Sequence, residues 1–214
     1  MGERVKREYR SAVRADQARA TRRAIVEAAA RLFIENGYGA TTIDAVAESA
    51  GVSRKTVFTA VGAKVDLLKV ALDWAVAGDD LPVAVGDRPI LRHLLEQPDP
   101  AVLLTGWARI QAEIDARVAA LFQALEVAAG VDGEARTLLA QSQRQRLDGA
   151  RTVVKRLRTL EVLTAKLTYP EAVDLAWLAT DPALFDRLVR VRGWSTRRFA
   201  EWLGEHLCRQ LLDG

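Results

Sequence analysis

The sequence predicts an all-α fold, and three observations carry that expectation. Apolar residues recur at helical spacing in segment after segment. Ser, Thr or Asp stands before many of these segments and Gly closes several of them. No stretch alternates apolar and polar residues as a half-buried strand does.

The first helix is expected from about Ala18 to Asn36, where Ile25, Ala29, Leu32 and Phe33 share one face and Gly37 supplies a C-terminal stop. Thr41 and Thr42 offer N-cap hydroxyls, with Asp44 placed three residues after Thr41 to complete a capping box. A short second helix, about Ile43 to Ala50, then buries Val46 and Ala47. Gly51 permits a tight turn, Val52 is an apolar plug, and Ser53 caps a third helix to about Val61. Two short helices joined in this way form a helix-turn-helix.

A fourth helix follows Gly62 and Ala63, with Val65, Leu68, Leu72 and Val76 in register, and ends near Gly78. From Asp79 to Pro100 the chain carries Gly86, Pro82, Pro89 and Pro98, leaving room for one short helix around Ile90 to Leu95 and marking a junction. Asp99 and Pro100 open a long helix to about Ala129, striped by Leu103, Trp107, Ile110, Ile114, Val118, Leu121 and Leu125. A second long helix, about Gly133 to Leu160, holds Leu139, Val153, Leu157 and Leu160. Pro170 opens a helix through Trp177, and Asp181 with Pro182 opens another through Val191, stopped by Gly193. Ser195 caps the last, with a seam of Phe199, Leu203, Leu207 and Leu211.

Composition narrows the function classes. A chain of 214 residues accommodates one or two domains, and half hydrophobic with 28% charged is an ordinary globular balance. There is no apolar run long enough for a membrane span and no signal-peptide pattern, so no membrane partner and a cytoplasmic location are expected. One cysteine, Cys208, and two histidines, His93 and His206, exclude an internal disulfide and leave no metal cluster; no cofactor is expected. Charge is divided unevenly: residues 1–64 carry 12 Lys/Arg against 7 Asp/Glu, a net of +5, while the rest of the chain is mildly acidic at −2. A basic end on an acidic body points to a polyanion partner.

The stretch Thr21 to Leu72 resembles the DNA-binding domain of the TetR family of bacterial transcriptional regulators. The resemblance rests on the alanine-rich helix ending in Leu32-Phe33, the Gly37-Tyr38 exit, Thr41-Thr42, the Ala47 to Ala50-Gly51-Val52-Ser53 turn, Thr56-Val57-Phe58, and Lys64 before Leu67-Leu68. It implies an N-terminal three-helix helix-turn-helix DNA-binding domain joined by a linking helix to a C-terminal helical-bundle domain for ligand binding and dimerisation. The boundaries so expected are a basic, flexible arm at 1–17, the helix-turn-helix domain at 18–66 and the helical domain at 67–214. The implied function is a ligand-responsive homodimeric repressor, released from a palindromic operator in double-stranded DNA by a small-molecule effector. Phe58 stands where the family often has a phenol, Ala60 and Val61 where it has His or Tyr then Phe, and Asp44 where it often has a base.

In a helix-turn-helix the first turn of the second helix reaches base edges. Here that turn carries Ser53, Arg54, Lys55, Thr56 and Thr59. Arg54 or Lys55 can donate to guanine, and Thr56 or Thr59 can touch a thymine methyl or a phosphate. Phe58 packs at the same place. Lys64 matches the family's phosphate-contacting lysine, and its charge is unfavourable at a helix N-terminus, which suggests an external anion. Thr42 matches a phosphate contact, and capping explains it equally. The eight basic residues from Arg4 to Arg23 either follow the DNA or form a solubilising tail.

For an effector, a long polar segment through Ser142 and Arg146 interrupts the apolar stripe of the second long helix and either lines a cavity or faces solvent. A cavity walled by Trp107, Ile110 and Phe122, with Gln143 and Arg146 as polar contacts, would suit an apolar molecule bearing an acidic or carbonyl group. Phe185, Leu188, Trp202, Leu203, Leu207 and Leu211 are expected to form a symmetric four-helix dimer bundle, or else to close the core of one chain. No nucleophile elbow, zinc-protease motif, P-loop or dinucleotide fingerprint is present, so no enzyme is indicated. The alternative is a helical small-molecule carrier or bundle enzyme without specific DNA binding.

Overall fold

The computed structural model describes residues 2–80 and 88–213, with side chains from residue 13 onward. Ten helices are found among the described residues: α1 (Gly2–Ala40, broken at Gly37), α2 (Ile43–Ser49), α3 (Arg54–Ala60), α4 (Lys64–Ala77), α5 (Pro89–Leu95), α6 (Pro100–Ala129), α7 (Gly133–Thr159), α8 (Tyr169–Ala179), α9 (Pro182–Phe185) and α10 (Thr196–Leu211). A π-helical stretch, Asp186–Val191, continues α9. No strand occurs among these residues; the one isolated β-bridge pairs Leu163 with Leu212.

The helix starts follow local chemistry. Ser53, Asp99, Asp132, Thr168, Asp181 and Ser195 each accept a hydrogen bond from a backbone N–H of the first turn of the helix they precede. One cap differs from expectation. Thr42 alone caps α2, accepting from the Ala45 N–H at 3.1 Å. Thr41 is buried and donates backwards to the carbonyls of Leu32 and Gly37, at 3.0 and 2.8 Å, which ties the end of α1 to the turn. Asp44 is therefore not the second half of a box; it faces Arg54.

Helix α1 begins well before Ala18 and covers the stretch expected as an arm. Between Gly2 and Gly37 the chain has no Gly or Pro and many Ala and Arg, all good helix formers. The side chains of Arg4, Lys6, Arg7 and Arg10, on which a DNA-contacting arm would rest, lie outside the described residues, as do Pro82 and Gly86. Gly51 adopts φ +66 between α2 and α3, as a tight turn requires.

Two apolar cores form. The first joins Ile25, Ala29 and Phe33 of α1 with Val46, Val57, Leu67 and Leu68, and continues into Leu121 and Leu125 of α6 and Ala135 and Leu138 of α7. The second packs Leu103, Leu104 and Trp107 of α6 against Val153, Val154 and Leu157 of α7, Val173 of α8, Phe185, and the whole inner face of α10. Helix α6 passes through both. Its contact with α10 is close: a Cβ on Gly204 would lie 3.2 Å from the Thr105 Cα, so the absence of a side chain there lets the two backbones approach.

In the first half of α7, Ala135 and Leu138 are buried against the first core and the expected Leu139, half-buried, packs beside them; Val153 and Leu157 are buried as expected.

Candidate nucleic-acid interface and internal cavity

Helix α3 is held by one fully buried residue, Val57, and presents the rest of its first turns outward. Ser53, Arg54, Lys55, Phe58 and Thr59 are exposed and Thr56 is half-buried. The Ser53 hydroxyl accepts from the Thr56 N–H at 3.1 Å and lies 2.8 Å from the Thr56 hydroxyl, while Thr59 donates to the Lys55 carbonyl at 2.9 Å. The threonines are thus locally tethered, and Lys55 makes no ion pair among the described residues. Arg54 is engaged: its guanidinium is 2.6 Å from Asp44 of α2 and 5.6 Å from the Phe58 ring centre.

Lys64 opens α4 and is half-buried. Its ammonium lies 4.2 Å from the Tyr38 ring centre and 3.3 Å from the Gly39 carbonyl, with Asp132 also acting on it, and burial lowers its pKa. The unfavourable helix-end charge consequently has partners inside the chain, and an external anion is not required to explain it. Thr42, exposed, spends its oxygen as the α2 cap and keeps its proton free to donate.

Tyr38 connects this module to the body. Its hydroxyl donates to Asp132 at 2.7 Å, and Asp132 in turn caps α7 through its other oxygen. Arg117 of α6 donates to the carbonyls of Ala75 and Val76, closing the C-terminal end of α4. Arg23 of α1 pairs with Asp80 at 2.9 Å.

Between the two cores lies a cavity of about 1190 Å³. Helix α4 contributes Val70, Trp74 and Val76; α6 contributes Trp107, Ile110, Ile114, Asp115, Val118 and Phe122; α7 contributes Ser142, Gln145 and Arg146. The polar interruption of α7 therefore faces this space. Of the residues expected at an effector site, Trp107, Ile110, Phe122 and Arg146 line the cavity. Gln143 does not: it is exposed, one step round the helix from the wall. Arg146 also plays a different part from the one expected. Its terminal nitrogens bond Asp181 at 3.2 Å and the carbonyls of Trp177 and Thr180 at 3.3 and 3.1 Å, and the guanidinium lies 5.7 Å from both the Phe122 and Trp177 ring centres. It fastens α7 to the α8–α9 junction through these terminal nitrogens, while its Nε is buried without a hydrogen-bond partner among the described residues.

The group that sequence reading missed is Asp115. It is 2% exposed, lines the cavity, and its Oδ2 is buried without a hydrogen-bond partner among the described residues. Burial pushes its pKa up to about 8; the Arg146 cation pulls the other way, and Asp181 adds a little to the rise. A signal existed in the sequence. On a 100° helical wheel Asp115 falls among Trp107, Val118 and Phe122, so it is a carboxylate inside an apolar stripe.

The expected dimer residues divide. Phe185, Leu203, Leu207 and Leu211 are 3%, 0%, 1% and 0% exposed in the single chain, where they fill the core beside α6. Phe185 meets Phe199 edge-to-face at 5.1 Å. Leu188 and Trp202 are half-buried and keep an outward side, with Trp202 stacked on His206 at 5.5 Å. Within the single chain α6 runs along this seam of α10.

Among the described residues no helix is long and apolar enough to cross a membrane, and no cluster of residues is arranged to hold a metal.

Residues 25–71 match the model described as bacterial regulatory proteins, tetR family. No curated protein matches the chain. Solved structures resemble nearly all of it. NalD, the secondary repressor of the MexAB-OprM multidrug efflux pump of Pseudomonas aeruginosa, is 22% identical with a TM-score of 0.67, covering 90% of this chain and 96% of that one. A putative TetR-family transcriptional regulator from Rhodococcus sp. is 17% identical with a TM-score of 0.65, over 90% and 98%. A putative transcriptional regulator from Saccharomonospora viridis in complex with choline is 19% identical with a TM-score of 0.65, again over 90% and 98%. Residues 25–71 are thus similar to the bacterial regulatory proteins of the tetR family, and the described chain has the fold of these solved structures.

Proposed function

We propose that the protein is a cytoplasmic, non-enzymatic transcriptional repressor that binds a palindromic operator as a homodimer and is released by a small molecule. Residues 18–66 act as the DNA-binding domain, with Ser53, Arg54, Lys55, Thr56, Phe58 and Thr59 facing the major groove and Thr42 and Lys64 near the backbone. Residues 67–214 act as the effector and dimerisation domain, with Leu188 and Trp202 on the side of the fold that meets the second copy.

The observation that carries this reading is the course of α4. It begins with Lys64, beside Tyr38 and the reading module, and some 15 Å further on it forms cavity wall with Trp74 and Val76. A molecule that enlarges or fills the cavity pushes on the same rod that packs against α1, and α1 with α2 carries α3. A 100-fold loss of operator affinity needs only about 2.7 kcal/mol of such coupling. The similar structures NalD, a secondary repressor, and the Saccharomonospora viridis regulator in complex with choline agree with this reading.

The test is footprinting of the DNA upstream of the protein's own gene, followed by a screen for compounds that abolish protection. A protected palindrome is the expected result. Binding to DNA that shows no site preference and no compound response would reject the repressor and leave a carrier.

A further inference from the structure

Most charged groups around the cavity have partners, and the side-chain atoms of its lining that are buried without a hydrogen-bond partner among the described residues are Asp115 Oδ2 and Arg146 Nε. Lys69 pairs with Asp73 at 2.6 Å, Asp80 with Arg23 at 2.9 Å, Asp148 with Arg151 at 2.8 Å and Arg146 with Asp181 at 3.2 Å. Arg22 donates to the Ala60 carbonyl, and Arg19 acts on Asp80. Asp115 stands apart. It comes from the middle of α6, is sealed from solvent, and has no neighbour donating to its Oδ2 among the described residues. An unmatched carboxyl of this kind opposes folding, since its transfer out of water is uncompensated. Apolar walls on either side, Trp107, Ile110, Ile114 and Phe122, leave the rest of the space suited to a hydrophobic body.

We propose that the effector is an organic cation, its positive group held by Asp115 and its apolar part lying along Trp107, Ile110, Ile114 and Phe122. This rests on the cavity being the effector site, and it replaces the acidic effector that Arg146 suggested in the sequence. Below pH 8 the incoming cation displaces the Asp115 proton, so binding is coupled to proton release. Arg146 and Asp181, the other charges felt by Asp115, are paired with each other at 3.2 Å.

The experiment uses the full-length protein and two probes of equal chain length, decyltrimethylammonium and decanoate, followed by calorimetry and tryptophan fluorescence at pH 6, 7 and 8. Decyltrimethylammonium keeps its charge throughout, so any pH dependence belongs to the protein. Expected is a preference for the cation of at least about tenfold, tightening about tenfold between pH 6 and 7 and levelling off above 8. In Asp115→Asn, matched in shape, both the preference and the pH dependence disappear while the thermal melt shows a folded protein. A preference for decanoate, cation binding unchanged in Asp115→Asn, or no binding of either probe would overturn the proposal, and the wild-type comparison of the two ions decides it even if the variant fails to fold. Operator affinity measured in the same samples is a separate readout. Protection of the palindrome with the wrong ion preference removes only the effector class, whereas a cation that binds without altering DNA affinity removes the release mechanism.

Discussion

The Tyr38 hydroxyl donates to Asp132 across 2.7 Å, joining the exit of α1 to the cap of α7, residues 94 positions apart in the chain. Tyr38 is also stacked on Phe33 at 5.7 Å and carries the Lys64 ammonium on its ring. Its hydroxyl therefore reports directly on the seat of the reading module against the body. Burial first, then the bond to Asp132, raises the Tyr38 pKa; the same bond leads the causes that hold Asp132 below the ordinary carboxylate range.

Tyr38→Phe is expected to lower the urea midpoint while leaving the fold intact, and to change its pH dependence at both ends. For Asp132 the folded pKa is depressed, so its contribution is present above about 4 and is lost as pH falls through the folded value. For Tyr38 the folded pKa is raised, so the contribution is present below about 10 and lost as pH rises further. Both losses should be smaller in the variant. Equal acid and alkaline curves for the two proteins would show that the bond contributes nothing to folding.

The pair Arg54 and Asp44 gives a second expectation. The guanidinium expected to read a base is held at 2.6 Å by a carboxylate on the neighbouring helix, and both are more than half exposed. An exposed pair contributes little to stability, so DNA phosphates can compete for the arginine. Asp44→Asn removes the competitor and a negative charge facing the duplex. Affinity should rise several-fold at low salt, and the salt-dependence slope should steepen by up to about 1. Electrophoretic titration at several salt concentrations measures both; weaker binding would mean that Asp44 positions Arg54 productively.

Lys55 and Lys64 should separate by kind of effect. Lys55 is exposed on the first turn of α3 with no ion pair among the described residues, so Lys55→Ala is expected to change base preference, by about 1–3 kcal/mol at one position. Lys64 is half-buried against Tyr38, so Lys64→Ala should weaken binding to all sequences and lower the slope by about 1 if the ammonium reaches a phosphate. An unchanged slope would leave Lys64 as a fastening of α4 to Tyr38 and nothing more.

Helix order and most caps were legible because each depends on a few neighbouring residues: Ser53 before α3, Asp99 with Pro100 before α6, Ser195 before α10. What escaped depends on distant partners. Thr41 and Thr42 are alike as local hydroxyls, and only the path of α1 places Leu32 and Gly37 above Thr41. Arg146 is an obvious ligand donor until the α8–α9 junction comes round to occupy it. Asp115 was visible as a charge in an apolar stripe, but that its Oδ2 finds no donor depends on how the neighbouring helices pack around it. The apolar seam of α10 could equally have faced a partner or α6, and periodicity alone does not say which.

The seam of α10 provides the last test, because core and interface respond differently to truncation. Leu203 is fully buried in one chain beside Phe199, which is itself 0% exposed and packed on Phe185 and Trp202. Leu203→Ala should cost about 2–5 kcal/mol, and Phe199→Ala about 3–5, as cavities open in the protomer. Trp202 still shows one side outward, so Trp202→Ala should remove less from the core and more from association. Light scattering across a dilution series, with urea unfolding of the same samples, separates the two. If Trp202→Ala dissociates as the parent does, while Leu203→Ala dissociates at higher concentration than its lost stability explains, then the second copy docks elsewhere and the packing of α10 on α6 must open to admit it.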